Sequence, residues 1–366
     1  MIKVMHIGKY LPPSKGGMES SILHICRTLS AAGLDITLVG TDEAGQRHVH
    51  YNEKFKIRTL KTWCTWASTP FVTGLFKLIR EEKPDLIHLH LPNPWISILL
   101  SWTKIPIVAT YHCDIVSFKI LKKLYNPILI FFLNRCAKII TTSPQLASSS
   151  EALKKYQKKV SIISLSVPPL NFKNENIELT QSLNKISGNI ILFVGRLVFY
   201  KGLPFLIEAM KNIDGHLFIV GEGSKKGSLI RIAQELEVNT KITFAGYVSD
   251  EDLPSYYKAA KTIVLPSINQ GEALGICLIE GLSIGRPLVT TELRTGVSFV
   301  NQNEITGLIV PPKDSGALAK AIQRLLSSPD ERDRFSANAK IRYQQIFDLK
   351  KISDQHQKLY QEVLSL

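Results

Sequence analysis

Short apolar runs recur along this chain. Each is followed by a turn marked by glycine or proline and then by a segment with helical spacing. Runs at 3–7, 36–40, 57–60, 85–90, 105–111, 138–142 and 160–165 are followed by a fresh series that starts at 190–194. Continuous rather than alternating apolarity indicates strands buried on both faces, and alternation with helices implies parallel sheets covered on both sides. Between the first two runs, Ile22, Ile25 and Leu29 share one helical stripe, and Gly33 can end it. The two series repeat an architecture, not residues. The fold class expected is therefore α/β with two domains: residues 1–172, a polar and aperiodic linker at 173–189, residues 190–347, and a last helix at 348–366 that crosses back to the first domain. Helices are also expected at 71–82, 315–326 and 329–347.

The chain of 366 residues, 45% hydrophobic and 21% charged, is that of a soluble globular enzyme with room for two cores. Its five cysteines are scattered, odd in number and never spaced C-x-x-C. That points to a reducing, cytoplasmic setting rather than to disulfides or zinc. No apolar run approaches the ~20 residues of a membrane span, and the first residues read as a strand, not a signal peptide. The net charge of +14 is uneven: residues 1–170 carry 22 Lys+Arg against 10 Asp+Glu, residues 171–366 carry 23 against 21. One half should face something anionic: nucleic acid, an anionic membrane or an acidic substrate. Residues 118–135, with Lys119, Lys122, Lys123 and Arg135 among dense apolar positions, form a basic amphipathic stretch interrupted at Pro127. It reads as a half-buried helix or as a surface that rests peripherally on the inner face of a membrane, and the charge of this half favours the membrane.

The polar motifs sit where strands end. Pro12-Pro13 and Gly16-Gly17 form a loop between the first strand and its helix, an arrangement whose free backbone N–H groups can cradle phosphate. Neither G-x-G-x-x-G nor a P-loop is present. His88 and His90 share one face of a strand, and spacing offers no third metal ligand. His112, in Tyr111-His112-Cys113-Asp114, ends the next strand, where open α/β sheets place ligands; a functional role and a structural one both remain open. Arg196 and Lys201 flank a glycine-bounded turn after the strand at 190–194 and suit a diphosphate. Gly221-Glu222-Gly223 is another turn able to approach a nucleotide. Asp250-Glu251-Asp252 follows Ser249 and reads as helix capping rather than a metal motif.

In Ser267–Glu280, Glu272 and Glu280 stand eight residues apart around Gly275. In a continuous helix that is roughly 12 Å of rise, against ~5 Å between the carboxylates of a retaining hydrolase. Two hydroxyl acceptors with an anion site between them suit a ligand that is part polyol and part phosphate.

Taken in order, Pro12-Pro-x-x-x-Gly16-Gly17-Met-Glu19, Asp85-Leu-Ile-His-Leu-His90, Tyr111-His112-x-Asp114, Gly195-Arg196-(x4)-Lys201-Gly202, Gly221-Glu-Gly223, Phe244-Ala-Gly246-Tyr-Val248 and Glu272-(x7)-Glu280 resemble the family 4 glycosyltransferases of the retaining GT-B class across nearly the whole chain. The resemblance implies two Rossmann-like domains facing across a cleft. It also implies roles for single residues. Gly16 and Gly17 would reach the donor β-phosphate, and Arg196 and Lys201 would hold the diphosphate. Glu272 with the amides of Ala273, Leu274 and Gly275 would bind the donor sugar, and Glu280 the ribose. Val248 would lie beside the base through its backbone, and His112 beside the transferred sugar. The reaction would keep the anomeric configuration and need neither metal nor cofactor. Alanine in place of Lys201 or Glu272 is expected to abolish turnover with the fold intact.

One departure stands out. Where many relatives carry Gly-x-x-Glu, this chain has Leu293-Arg-Thr-Gly296-Val-Ser-Phe-Val-Asn301, similar to mannosyltransferases of bacterial surface polysaccharides. The expected reaction is transfer of a hexose, mannose from GDP-mannose, to a glycan or lipid-linked acceptor at a membrane. A UDP-sugar donor, a nucleotide-sugar epimerase of the same fold and, last, a nucleic-acid-binding protein are the alternatives; no nucleic-acid recognition element is present.

Overall fold

The computed structural model describes residues 1–11, 16–41, 53–66, 69–114, 119–172, 176–186 and 188–365. The Pro12-Pro13 part of the first motif, and the side chains of Lys119, Lys122 and Lys123, lie outside them. The chain divides into two compact units, Met1–Val167 with Phe347–Leu366, and Pro168–Ile346.

In the first unit the strands are β1 (Lys3–Tyr10), β2 (Asp35–Thr41), β3 (Lys56–Thr59), β4 (Lys61–Trp66), β5 (Thr69–Thr73), β6 (Leu86–Leu91), β7 (Ile107–Tyr111), β8 (Lys138–Thr141) and β9 (Val160–Ile162). Seven form one sheet in the order β3-β2-β1-β6-β7-β8-β9, and every pairing in it is parallel. One face packs Ile22, Ile25 and Leu29 of helix Gly17–Ala31 together with Ile352, Leu359, Tyr360 and Val363 of helix Leu349–Leu364. Against the other pack Leu78, Leu100, Phe132 and Leu133. Helix Lys119–Arg135 runs on through Pro127, and Arg135 is tied to the carbonyls of Thr103 and Ile105.

The second unit holds β10 (Ile190–Val194), β11 (His216–Val220), β12 (Ile242–Gly246), β13 (Thr262–Leu265), β14 (Leu288–Thr291) and β15 (Gly307–Val310) in the order β12-β11-β10-β13-β14-β15, again all parallel. Both sheets therefore reverse their strand order between the first strand and its neighbour on the other side, β1/β6 and β10/β13. Ligands of such sheets lie beyond the carboxyl ends at that point.

Four expectations are corrected. The boundary after the first unit falls at Val167/Pro168 rather than 172, where Pro168-Pro169 offer no N–H to carry a ladder onward. The expected linker 173–189 contains helix Ile177–Ile186, whose Thr180 and Leu183 are buried and whose approach is tied by Asn176 to Asp252 (3.2 Å). Two buried positions three apart suffice to dock a short helix, too few to stand out as a period. The expected helix at 71–82 begins only at Leu75, after Gly74 with φ 87°, because 61–66 and 69–73 pair as an antiparallel hairpin. The second unit ends at Ile346 rather than 347, within a π-helical turn, Tyr343–Phe347. Helix Leu349–Leu364 follows, capped by Asp348 Oδ1, which accepts from Lys351 N at 3.0 Å.

All five cysteines are free. Among the described residues no helix is long and apolar enough to cross a membrane.

Candidate active site

In the second unit the switch point brings two distant loops together. The loop after β10 carries Gly195, Arg196, Lys201 and Gly202; the loop after β13 carries Ser267 and Glu272. Gly202 allows their contact: its φ is 68°, and a Cβ there would stand 2.0 Å from the carbonyl oxygen of Pro266. The result is a buried ion pair, Lys201 Nζ to Glu272 Oε2 at 2.6 Å, with the residues 8% and 6% exposed. Ser267 Oγ donates to the same oxygen at 2.9 Å. Burial alone would pull the Lys201 ammonium down, but Glu272, aided by Cys277 and Tyr200, outweighs it and leaves Lys201 above its ordinary value. An ammonium has three N–H donors, so two remain for a ligand after Glu272 is served. Glu272 Oε1 has no partner among the described residues.

Removing either member would strand a buried charge. The alanine variants are therefore expected to lose stability as well as turnover. Arg196 differs from Lys201: it is exposed, and among the described residues its guanidinium meets only Tyr200 Oη, at 3.5 Å.

From Glu272 the chain passes through Ala273 and Leu274 to Gly275 (φ 81°), which caps helix Ile276–Ser283. The amides of Ala273, Leu274 and Gly275 find no hydrogen-bond acceptor among the described residues. Three consecutive unengaged N–H groups thus lead from Glu272, the partner of Lys201, into a helix N-terminus, an arrangement able to receive an oxygen-rich anion. The Ala273 carbonyl, by contrast, accepts from Gly296 N at 2.8 Å. The departing segment around Gly296 thus backs the Glu272 loop. Asn301 within it bridges Thr290 Oγ1 (2.9 Å) and the Leu308 carbonyl (3.0 Å).

Glu280 lies one turn into the helix and accepts from Tyr257 Oη at 2.5 Å. Burial raises its carboxyl above the ordinary value, against the Tyr257 hydrogen bond, with Asp250 adding to the rise. Tyr257 carries no sequence signal; only the packing of helix Leu253–Ala259 brings it in. Val248 is half-buried just past β12. Gly221 and Gly223 have a packing reason: Cβ atoms there would stand 2.1 Å from Gly195 O and 2.4 Å from Leu197 O. Ser249 Oγ accepts from Asp252 N at 3.0 Å, so the acidic run belongs to a helix cap.

In the first unit, Gly16 is the N-cap of helix Gly17–Ala31, and a Cβ on it would meet the Glu19 carboxylate at 2.1 Å. His112 follows β7, 4% exposed, with Nε2 3.1 Å from Nδ1 of His90 on β6. Burial lowers its imidazole to about 3, so it is neutral at physiological pH. The supposed lack of a third partner for His88 and His90 is overturned. β1 supplies His6, and the three imidazoles converge within 4.8 Å. Both nitrogens of His6, His88 and His90 are hydrogen-bonded within the protein.

Two family models cover the chain in turn: Glycosyltransferase Family 4 matches residues 15–169 and Glycosyl transferases group 1 matches residues 176–342. The chain is 32% identical over 99% of both lengths to the O-antigen chain mannosyltransferase C of Escherichia coli. It is 31% identical to a D-rhamnosyltransferase of Pseudomonas aeruginosa, over 94% of this chain and 92% of that one. Its fold matches sucrose-phosphate synthase from Thermosynechococcus elongatus with a TM-score of 0.83 over the whole of both chains, at 24% identity. Two parallel Rossmann-like units, a charged switch point and relatives matched from end to end agree: this chain belongs to the family 4 glycosyltransferases and is a glycosyltransferase of the GT-B fold.

Proposed function

We propose that the enzyme transfers a hexose, mannose from GDP-mannose, onto a glycan or lipid-linked acceptor in the assembly of a surface polysaccharide, with retention at the anomeric carbon. The observation that carries the donor side is the Lys201–Glu272 pair beside the three unengaged amides. The two remaining Lys201 donors, with Arg196, meet the diphosphate and the charge it gains on leaving, and the family resemblance gives Gly16 and Gly17 to the donor β-phosphate. Glu272 Oε1 and the amides of Ala273, Leu274 and Gly275 bind the sugar hydroxyls. Glu280 takes the ribose, the Val248 backbone lies against the base, and His112 stands beside the transferred sugar. With the phosphate charge met in this way, transfer needs neither a divalent cation nor a cofactor.

The choice of mannose is supported by the similarity to the Escherichia coli O-antigen chain mannosyltransferase and by the 293–301 segment, which braces the Glu272 loop through Gly296. A membrane-side acceptor is supported by the charge of the first unit and by the exposed Trp102 and Phe131, whose rings lie 6.0 Å apart. This surface meets anionic lipid, not nucleic acid, and holds the protein peripherally on the cytoplasmic face.

The test is nucleotide release from a panel of GDP- and UDP-sugars, with and without membrane extract and with EDTA, followed by anomeric analysis of the product. Release from GDP-mannose that needs extract, ignores EDTA and yields the α-linkage is expected. Preference for a UDP-sugar overturns the donor, inversion overturns the mechanism, and loss in EDTA overturns metal independence.

A further inference from the structure

His112 does not stand alone. Its Nε2 lies 3.1 Å from His90 Nδ1; His90 Nε2 lies 3.2 Å from His6 Nδ1; His6 Nε2 lies 3.1 Å from Tyr360 Oη; Tyr360 Oη lies 2.6 Å from His88 Nδ1; and His88 Nε2 lies 2.6 Å from Thr110 Oγ1. All six residues are at most 4% exposed. The chain joins four elements of one unit: β1, β6, β7 with the residue after it, and the C-terminal helix Leu349–Leu364. Its one loose end on the β7 side is His112 Nδ1, which is buried and has no partner among the described residues.

Proton counting restricts this chain severely. A neutral imidazole has one donor and one acceptor nitrogen, and a tyrosine hydroxyl has one hydrogen. Burial, followed by mutual repulsion, lowers His88 and His90 well below the ordinary range, and His6 falls to about 3 for the same reasons. All are therefore neutral. Tyr360 must give its hydrogen to His88 or to His6, and either choice dictates every other link. If it goes to His88, all four imidazoles carry their hydrogen on Nε2, and His112 Nδ1 is a bare lone pair. If it goes to His6, all four carry it on Nδ1, and His112 presents an N–H. The first order uses the tautomer that free histidine itself prefers. It also avoids a buried N–H without an acceptor, which is a rarer defect than an under-used lone pair. At the far end Thr110 lines a cavity of ≈ 20 Å³ with Ser21 and Ser164. A single water fits that volume and would give the Thr110 hydrogen an acceptor.

We propose that His90, His6, Tyr360 and His88 act as positioning residues that lock His112 in the Nε2–H tautomer, so that its Nδ1 meets a ligand as a hydrogen-bond acceptor. A sugar hydroxyl then donates to His112, and never the reverse. The ligand's identity rests on the reading that His112 stands beside the transferred sugar; the tautomer itself does not.

The test uses the full-length protein labelled with ¹⁵N-histidine, without nucleotide, at pH 7.5. The His112 resonances are assigned by their loss in His112→Gln. Nδ1 is expected at the unprotonated shift and Nε2 at the protonated one. In Tyr360→Phe the two nitrogens should move toward a tautomeric average, with kcat down about tenfold and donor KM unchanged. A protonated Nδ1 in the wild-type protein overturns the proposal. So does a Tyr360→Phe variant that loses turnover while the His112 shifts stay put, because that is a merely structural effect. If the tautomer is as stated but His112→Gln turns over normally, the chain stands and the placement of His112 beside the sugar falls.

Discussion

The two units share a strand order and differ in what they bury at its switch point. The second keeps charge: Lys201 and Glu272 face each other at 2.6 Å with Ser267 in support. In the first, four imidazoles and a tyrosine hydrogen-bond one another as neutral groups. One topology therefore supports two electrostatic solutions. On the proposed reading, a ligand's phosphate and hydroxyls share the donors and acceptors of the buried ion pair, and the neutral chain serves to present one nitrogen in one protonation state. The units should accordingly fail under different insults.

The largest divergence is expected in acid. His6 and His112 are held down to about 3 and His356 to about 4 in the folded state, each chiefly by burial, against an ordinary 6.5. Below 6.5 the unfolded chain binds protons that the folded unit refuses. Stability is therefore complete above that pH and falls as pH drops toward 4. Each histidine contributes about 1.4 kcal/mol per pH unit, and three together roughly 4 kcal/mol. All four tryptophans, Trp63, Trp66, Trp95 and Trp102, lie in the first unit, so urea unfolding followed by their fluorescence reports that unit alone. Its midpoint should collapse between pH 7.5 and 5.5; an unchanged midpoint would remove the neutral-core account.

Breaking the ion pair comes next. Lys201→Ala should destabilise the second unit by about 3–5 kcal/mol and leave the tryptophan-detected transition in place. The double variant Lys201→Met/Glu272→Leu should recover most of that stability while remaining inactive. Recovery of activity in the double variant would show that the pair is scaffolding. Gly202→Ala should cost about 2 kcal/mol or more, since its Cβ meets the Pro266 carbonyl at 2.0 Å and its φ is 68°. Loss of turnover with intact stability would mean that the loop simply shifts. The smallest effect belongs to Asp348→Ala, about 1 kcal/mol from the lost helix cap. It should be visible in the tryptophan signal, because the capped helix packs in the first unit.

Much of this was legible in the chain. Continuous apolar runs identified every strand of the seven-stranded sheet and the start of the second series, since a strand covered on both faces has no polar side to confuse the pattern, whereas the short strands β14 and β15 were not read. The motif residues fall at strand ends because glycine-bounded turns mark where strands stop. What escaped reading had local sequences without a strong period: the hairpin at 61–73, the helix Ile177–Ile186 and the Val167/Pro168 boundary. In the site, Lys201 and Glu272 were each identified but not their pairing, and Tyr257 and Tyr360 gave no signal at all.

By itself, then, the sequence determined two parallel α/β units, the family, and the set of residues at the strand ends, because burial pattern and turn chemistry are local properties. Only the tertiary structure decided which of those residues touch. Lys201 meets Glu272 across 71 positions because β10 and β13 lie side by side and Gly202 lets their loops close. His6 meets Tyr360 across 354 positions because the last helix packs on β1's sheet. Contacts at such separations depend on strand order and helix packing, and no local pattern of residues encodes either.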